Sequence, residues 1–237
     1  MAKIKKLGSV YFDDGPVLPG SKLGEQQFSI GDTYSGMELQ WVCDGCRLVA
    51  DRCVCINISR EQLNQMGFVH GSPVTIDGKA YLCRCLVTGN KEDIRNEWDA
   101  QLNKYGNSND LWHWKNQYFW GQESALDWPT LQCVVRGYME ANYWSHAEST
   151  IRDVGIGFRP VLEPLFTELS ETLVGSKIKV FGPHGEAAVG CLVGFDDYDL
   201  VLSPGLELFT NCNWATRHGQ KIVVNKEAII GIGESPY

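Results

Sequence analysis

The stretch Gly155-Ile156-Gly157-Phe158-Arg159-Pro160-Val161-Leu162-Glu163-Pro164 divides the chain into two parts of different composition. Pro160 and Pro164 each lack a backbone N–H donor, so a strand ladder that enters the stretch is expected to stop near them. All but one of the eight tryptophans precede Pro164, and short runs rich in Val, Ile and Leu follow it. The stretch therefore predicts the closing strand of a large first domain, residues 1–165, and a smaller second domain, residues 172–237.

Composition and charge exclude several classes of protein. The 237 residues are 43% hydrophobic and 21% charged, which is ordinary for a globular protein. The formal net charge of −8 disfavours nonspecific contact with DNA, RNA or an anionic membrane, because such contact needs clustered Lys and Arg. No apolar run reaches the roughly 18 residues of a spanning helix, and no signal peptide is evident. We therefore predict a cytoplasmic protein without membrane contact.

Two Asp-Gly pairs predict β-hairpins in the first domain. Asp44-Gly45 and Asp77-Gly78 each lie between two short strand-like runs. Asp-Gly is among the strongest signals for a two-residue turn, because Gly tolerates the positive φ that a type I′ turn requires.

Three segments carry helix signals. The first helix begins at Ser59, which forms a capping box with Gln62, and it ends at Gly67. The second is predicted from about Asn96 to Tyr105. A third, short helix is predicted from Leu165 to Leu173.

Tryptophan is dense between Gly106 and Trp144, where regular periodicity is weak. Such a segment is typical of long loops that aromatic rings pin onto a sheet. Long loops in compact domains are often functional surfaces, so Trp112 and Trp114 are candidate binding residues.

The order of motifs around the opening stretch resembles a known fold family. Arg136-Gly137-Tyr138 is followed by a polar and aromatic segment, Met139 to Asp153, and then by Gly157-Phe158-Arg159. This order is similar to the C-type-lectin-like fold of the formylglycine-generating-enzyme and phage variable-protein type. The resemblance implies a mixed domain with long aromatic loops, and an α+β class for the whole chain.

The same resemblance bears on catalysis. Formylglycine-generating enzymes carry a pair of cysteines just after the Arg-Gly strand, but Met139 to Asp153 contains no Cys. The resemblance therefore implies a rigid scaffold that presents a binding surface, and no enzyme activity. Five consecutive residues of the segment combine aromatic rings with hydrogen-bonding groups, as recognition surfaces do: Asn142, Tyr143, Trp144, Ser145 and His146. The alternative is that Tyr143 and Trp144 fill the core.

The second domain shows five strand-like runs without an intervening helix. They are Lys177–Phe181, Ala187–Gly194, Asp199–Leu202, Lys221–Asn225 and Ala228–Ile232. Short consecutive strands of this kind favour a small antiparallel barrel. The glycine-rich segment Gly190 to Tyr198 and the segment Ile222 to Ile232 resemble an Sm-like (Hfq-type) barrel.

Sm-like proteins usually bind RNA in rings, and Tyr198 stands where a base-stacking aromatic residue is expected. Asp199, however, stands near the position where the family has Asn. Residues 171–237 carry five Lys and Arg against eight Asp and Glu, which makes RNA a disfavoured partner. Protein contact or self-association through the barrel is the expected use.

The nine cysteines include one metal-like arrangement, Cys43, Cys46, Cys53 and Cys55. The C-x-x-C spacing of the first two suits a tetrahedral zinc site. The alternative is structural: a hairpin turn would place Cys43 opposite Cys46, and Cys53 and Cys55 would pack as small apolar residues on one strand face. We expect the structural alternative and therefore no cofactor.

Together these features predict a non-enzymatic protein that binds another macromolecule. The two resemblances suggest a phage or mobile-element accessory protein that works in a bacterial host and binds or inhibits a nucleic-acid-handling or defence protein. Two alternatives stay open: an RNA-binding Sm-like oligomer, and a zinc- or thiol-dependent enzyme that uses the N-terminal cysteines.

Overall fold

The computed structural model describes residues 2–13, 15–45, 47–89, 96–124, 132–166, 168–183, 186–207 and 213–235. It is mostly β, with 50% strand and 12% helix arranged around four sheets. The α+β prediction is therefore wrong. The prediction failed for two reasons. The helix signals were real, but the helices are short. Most strands pair with distant segments of the chain, and local sequence patterns do not reveal such pairing.

Fifteen of the described strands precede residue 165. They are β1 (Ile4–Lys6), β2 (Ser9–Phe12), β3 (Gly15–Val17), β4 (Ser21–Lys22), β5 (Phe28–Gly31), β6 (Gln40–Asp44), β7 (Arg47–Ala50), β8 (Cys55–Ile56), β9 (Ser72–Ile76), β10 (Lys79–Cys85), β11 (Tyr118–Ser124), β12 (Gln132–Gly137), β13 (Trp144–Glu148), β14 (Ile156–Phe158) and β15 (Pro160–Pro164). Three short helices accompany them: α1 (Arg60–Gln65), α2 (Glu97–Tyr105) and α3 (Asn109–Trp112).

These strands form two six-stranded sheets and one small sheet. The first sheet has the order β1-β6-β7-β15-β10-β9, and the second has the order β13-β12-β11-β14-β8-β4. The small sheet has the order β3-β2-β5. Their main core contains buried side chains from all three sheets, including Val10, Trp41 and Trp120.

The stretch Gly155–Pro164 belongs to both large sheets. Its first half is β14, which pairs with β11 and β8, and the ladder through Phe158 ends there as predicted. The chain then continues directly as β15, a central strand between β7 and β10. Pro160 does not stop it, because proline is tolerated as the first residue of a strand. The stretch therefore supplies the last strand before residue 165, and that strand is central in its sheet.

Arg159 lies at the crossing between the two sheets and is fully buried. Its guanidinium donates to the carbonyls of Asp51 and Trp112. It also lies 5.0 Å from the ring of Trp98 and 4.8 Å from that of Phe119, so two aromatic faces replace water around the charge.

Six described strands follow residue 176 and form the C-terminal sheet. They are β16 (Lys177–Phe181), β17 (Ala187–Phe195), β18 (Asp199–Glu207), β19 (Ala215–His218), β20 (Lys221–Asn225) and β21 (Gly231–Glu234). The sheet order is β19-β20-β18-β17-β16-β21, and in the described part of the chain its two end strands do not pair with each other. The five-stranded barrel is therefore wrong in strand number, because β19 was missed and the last run begins later than predicted.

Several local predictions are confirmed. Ser59 caps α1 through a capping box with Gln62, and Asn96 caps α2, which ends at Gly106. Asp77-Gly78 forms the two-residue turn between β9 and β10, with φ of 50° and 73°.

Two local predictions are wrong. In the hairpin β6–β7, Asp44 pairs with Arg47, so the turn lies one residue later than expected and Cys43 pairs with Leu48. From Leu165 to Leu173 the described residues contain only a 3-10 turn, Glu171–Leu173. Leu165 instead bridges to Gly233, which joins the C-terminal sheet to the end of β15. Among the described residues, no helix is long and apolar enough to cross a membrane.

Candidate binding surface

Three tyrosines form an aromatic cluster at one end of the second sheet. Tyr118 begins β11, Tyr138 follows β12, and Tyr143 precedes β13. The rings of Tyr118 and Tyr138 stack with centroids 4.7 Å apart and planes 9° apart, and Tyr143 lies 6.3 Å from Tyr118. Tyr138 and Tyr143 are 39% and 37% exposed, so this tyrosine cluster presents aromatic surface to solvent.

The backbone after β12 is built to hold the cluster. Gly137 has φ of 98°, and a Cβ there would lie 2.7 Å from the carbonyl oxygen of Gln117. Tyr138 also has positive φ, 78°, which is rare for a residue with a side chain. Its N–H donates to the Trp114 carbonyl at 2.9 Å, and its own carbonyl accepts from Asn116 N at 2.9 Å. These bonds fix the tyrosine in its unusual conformation.

Exposed aliphatic side chains adjoin the tyrosine cluster. Met139, next in sequence to Tyr138, is 64% exposed. Val154 is 51% exposed, and the neighbouring carbonyl of Gly155 accepts from Tyr118 N at 2.7 Å, which places that segment beside the rings. Apolar surface grouped in this way is typical of a protein-contact site.

The edge strand β13 extends the surface. It pairs with β12 on one side, and in the described part of the chain no strand pairs with its other side. Trp144 and His146 point to one face, with ring centroids 5.8 Å apart. Ser145 points to the opposite face and hydrogen-bonds with the hydroxyl of Tyr118, whose pKa is raised by burial and by the neighbouring Tyr143.

A polar groove of about 510 Å³ adjoins the cluster on the side of α2. It is lined by Asp99, Leu102, Asn103, Gly106, Asn107, Arg136 and Asn142. Arg136 is buried, pairs with Asp99 and donates to the Asn142 carbonyl at 3.2 Å. The asparagine amides supply neutral donors and acceptors beside the aromatic rings. The tyrosine cluster, β13 and this groove together are called the recognition surface below.

The structure places the predicted residues 142–146 at the start and on both faces of β13, with Trp114 beside them, but it separates Trp112 and Tyr198. Trp112 is fully buried, with its ring centroid 5.1 Å from that of Trp98, so it belongs to the core and contributes no surface. Trp114 is half-buried and lies against the surface: its indole donates to the carbonyl of the groove residue Asn107 at 2.9 Å, and its own carbonyl accepts from Tyr138 N. Tyr198 is 73% exposed but lies in the turn between β17 and β18 of a different sheet.

Sequence reasoning missed Tyr118, Tyr138 and Met139. Residues 118–120, Tyr-Phe-Trp, have strong β propensity and indicate β11, whereas long loops were predicted there. Tyr138 follows the Arg-Gly pair, but nothing local indicates that it stacks on a residue of another strand.

Two of the four cysteines named in the enzyme alternative are buried. Cys53 and Cys55 are buried, and burial raises the pKa of both thiols, to about 11 for Cys53. A thiol must ionise before it can attack a substrate, so these two are poor nucleophiles. Cys43 is a half-buried strand residue, and Cys46 lies outside the described residues. Among the residues that are described, no group of three or more His, Cys, Asp and Glu could hold a metal ion.

The recognition surface thus offers aromatic, aliphatic and amide groups, whose chemistry is noncovalent contact. The chain matches no protein-family model, no curated protein and no solved structure, so both family resemblances stay predictions.

Proposed function

We propose that the protein is a binding protein that contacts another protein through the recognition surface. The observation that carries this proposal is the tyrosine cluster. The ring of Tyr138 stacks on that of Tyr118, and both Tyr138 and Tyr143 are more than a third exposed. Stacking and the hydrogen bonds around Tyr138 hold the rings in place before any partner arrives, which lowers the entropic cost of binding.

The composition of the surface supports a protein partner. Tyrosine and tryptophan are enriched where proteins bind each other, and asparagine supplies adaptable hydrogen bonds beside them. The outer edge of β13 also suits the addition of a strand from a partner. The net charge of −8 favours a partner with a basic surface, as nucleic-acid-handling proteins have. The two family resemblances of the sequence lead us to propose further that the protein is a phage or mobile-element accessory protein of the bacterial cytoplasm.

The test compares variants in affinity capture from a bacterial lysate, followed by binding measurements with the purified captured protein. Tyr138→Asn keeps a residue type that accepts positive φ, and Tyr143→Ser removes the second exposed ring. Each is expected to weaken binding by about tenfold or more, as loss of an aromatic anchor does.

The matched control is Tyr34→Ser, which removes a tyrosine that is 52% exposed and lies outside the recognition surface. It is expected to leave the affinity unchanged. Equal affinity for the wild type and the Tyr138→Asn, Tyr143→Ser double variant would contradict the proposal, as would an equal loss in Tyr34→Ser.

A further inference from the structure

A second cavity, of about 370 Å³, lies between the first sheet and the C-terminal sheet. The first sheet contributes Arg47 from β7 and Glu163 from β15, and the C-terminal sheet contributes Lys177, Lys179, Val189 and Leu206. Its size falls within the range of small-molecule sites.

The charged lining of this cavity is mainly positive. Three of its ionisable residues are cationic, Arg47, Lys177 and Lys179, and one is acidic, Glu163. Glu163 pairs with Lys179 and with the buried Arg84, and Arg47 pairs with Asp44 and Glu97. The four cations Arg47, Arg84, Lys177 and Lys179 still exceed these three carboxylates by one charge. In a protein of net charge −8, this concentration of cations favours an anionic ligand.

Lys177 and Lys179 are two residues apart on β16 and therefore point to the same face. Lys179 is half-buried and held by Glu163, whereas Lys177 is exposed. The Lys179 amine is thus fixed in position, and the Lys177 amine can reach a charged group at the mouth of the cavity.

The rest of the wall formed by the C-terminal sheet is apolar. Val189 pairs in register with Lys179 on one side and with Leu206 on the other, so the three side chains stand in one row across the sheet. Leu206 is 59% exposed, although large aliphatic side chains usually gain by burial. Gly190 and Gly205 pair beside this row, and on the opposite face of the sheet a Cβ at either would meet Leu202 or Ile222 within 3 Å.

We propose that this cavity binds a small amphipathic anion, with its carboxylate or phosphate at Lys177 and Lys179 and its apolar body against Val189 and Leu206. The row of side chains across β16, β17 and β18 places the charged and apolar halves next to each other, which is what a ligand with a charged end and an aliphatic body requires. The site is independent of the recognition surface, which lies at the end of the second sheet.

The first experiment titrates the full chain with four probes that share one aliphatic chain: octanoate, octyl phosphate, octan-1-ol and octylammonium. Calorimetry at low ionic strength is expected to show at least one of the two anions binding about tenfold more tightly than octan-1-ol, with octylammonium the weakest. The preferred anion identifies the head group, carboxylate or phosphate. Binding of octan-1-ol or octylammonium as tight as that of both anions would overturn the proposal, as would no binding of either anion at millimolar concentration.

The second experiment uses variants of exposed residues, which leave the fold intact. Lys177→Gln is expected to weaken anion binding about three- to fivefold. Leu206→Asp is expected to weaken it about tenfold, because it removes apolar contact and adds a repelling charge.

Two matched controls separate this cavity from the rest of the sheet. Lys221→Gln changes an exposed lysine of β20, and Val193→Asp changes a 48% exposed aliphatic residue of β17; neither lines the cavity. Both are expected to bind the anion like the wild type. An equal loss in the controls, or no loss in Lys177→Gln and Leu206→Asp, would place the anion elsewhere and overturn the proposal.

Discussion

Lys179 Nζ lies 3.2 Å from Glu163 Oε2, so an ion pair connects the first strand of the C-terminal sheet with a central strand of the first sheet. Glu163 also pairs with Arg84, which pairs in turn with Glu97 of α2. Arg47 also pairs with Glu97, because its Nη1 lies 2.7 Å from Glu97 Oε1. A single charge network therefore runs from α2 through the first sheet to the C-terminal sheet, at the junction of the two predicted domains.

Glu163→Ala is expected to destabilise the protein by about 3 kcal/mol, because it leaves the buried Arg84 and Lys179 without a shared carboxylate. Urea denaturation followed by tryptophan fluorescence measures the change. Glu25→Ala is the matched control, since Glu25 is 98% exposed in its pair with Arg152 and its removal is expected to leave the midpoint unchanged. Equal midpoints for the two variants would contradict a structural role for the network.

Acid is expected to weaken the same network. Burial raises the pKa of Asp44, but hydrogen bonds from Lys104 and Gln101 and the charge of Arg47 outweigh it and lower the pKa to about 2. The charge of Arg84 likewise overcomes burial and lowers the pKa of Glu97 to about 2. Both carboxylates bind protons less readily in the folded protein than in the unfolded one, so they stabilise it above their ordinary pKa values.

That stabilisation is lost as the pH falls from about 4.5 toward 2. Urea midpoints measured across this range are expected to decrease steeply for the wild type and less steeply for Asp44→Asn. Asp197→Asn, a change at an exposed carboxylate, is expected to follow the wild type. A wild-type midpoint that does not change across the range would contradict the assigned pKa values.

Gly157→Ala is expected to destabilise the protein by about 1–3 kcal/mol, since an added methyl would overpack the crossing between the two large sheets. A Cβ at this position would lie 2.6 Å from the Cys55 carbonyl oxygen and 2.8 Å from Cys53 Cβ. Gly194→Ala is the matched control, because a Cβ there meets nothing within 4 Å. Thermal unfolding of both variants checks the difference, and a loss at Gly194 equal to that at Gly157 would count against the packing explanation.

The buried thiols are expected to resist alkylation in the folded protein. Burial raises the pKa of Cys53 to about 11 and that of Cys85 to about 12, so neither forms much thiolate at neutral pH. Cys191 is half-buried and is expected to react with iodoacetamide much faster. Peptide mass spectrometry over time measures each site, and denaturant should equalise the rates. Labelling of Cys53 as fast as Cys191 without denaturant would revive the thiol-enzyme alternative.

Local chemistry is predictable from this sequence where a few neighbouring residues decide the structure. Ser59 with Gln62 fixes the start of α1, and Asp77-Gly78 fixes a hairpin turn, because both signals act within four residues. Asp44-Gly45 shows the limit of this reasoning. The turn shifts by one residue, since Asp44 is needed in the ladder opposite Arg47, where it also accepts from Gln101 and Lys104 of α2.

The candidate site depends on contacts that no local pattern contains. Residues 142–146 could be identified as an aromatic and polar run, but their partner Tyr118 lies on another strand. Trp112 was predicted to be a binding residue because it lies in a tryptophan-rich segment with weak periodicity, whereas long-range packing on Trp98 buries it. The charge network at Glu163 was equally hidden, because its members are spread over β6, β7, β10, β15, β16 and α2.

Because Gly155–Pro164 passes through both large sheets, the first sheet can be completed only after this late stretch has been synthesised. Strands β6, β7, β9 and β10 leave the ribosome long before β15, yet β15 lies between β7 and β10. Until residue 164 emerges, the first sheet exists only as two halves, each with an open strand edge. Translation that terminates shortly before this stretch would therefore release an aggregation-prone product, and chaperones that cover strand edges should matter most before β15 is made.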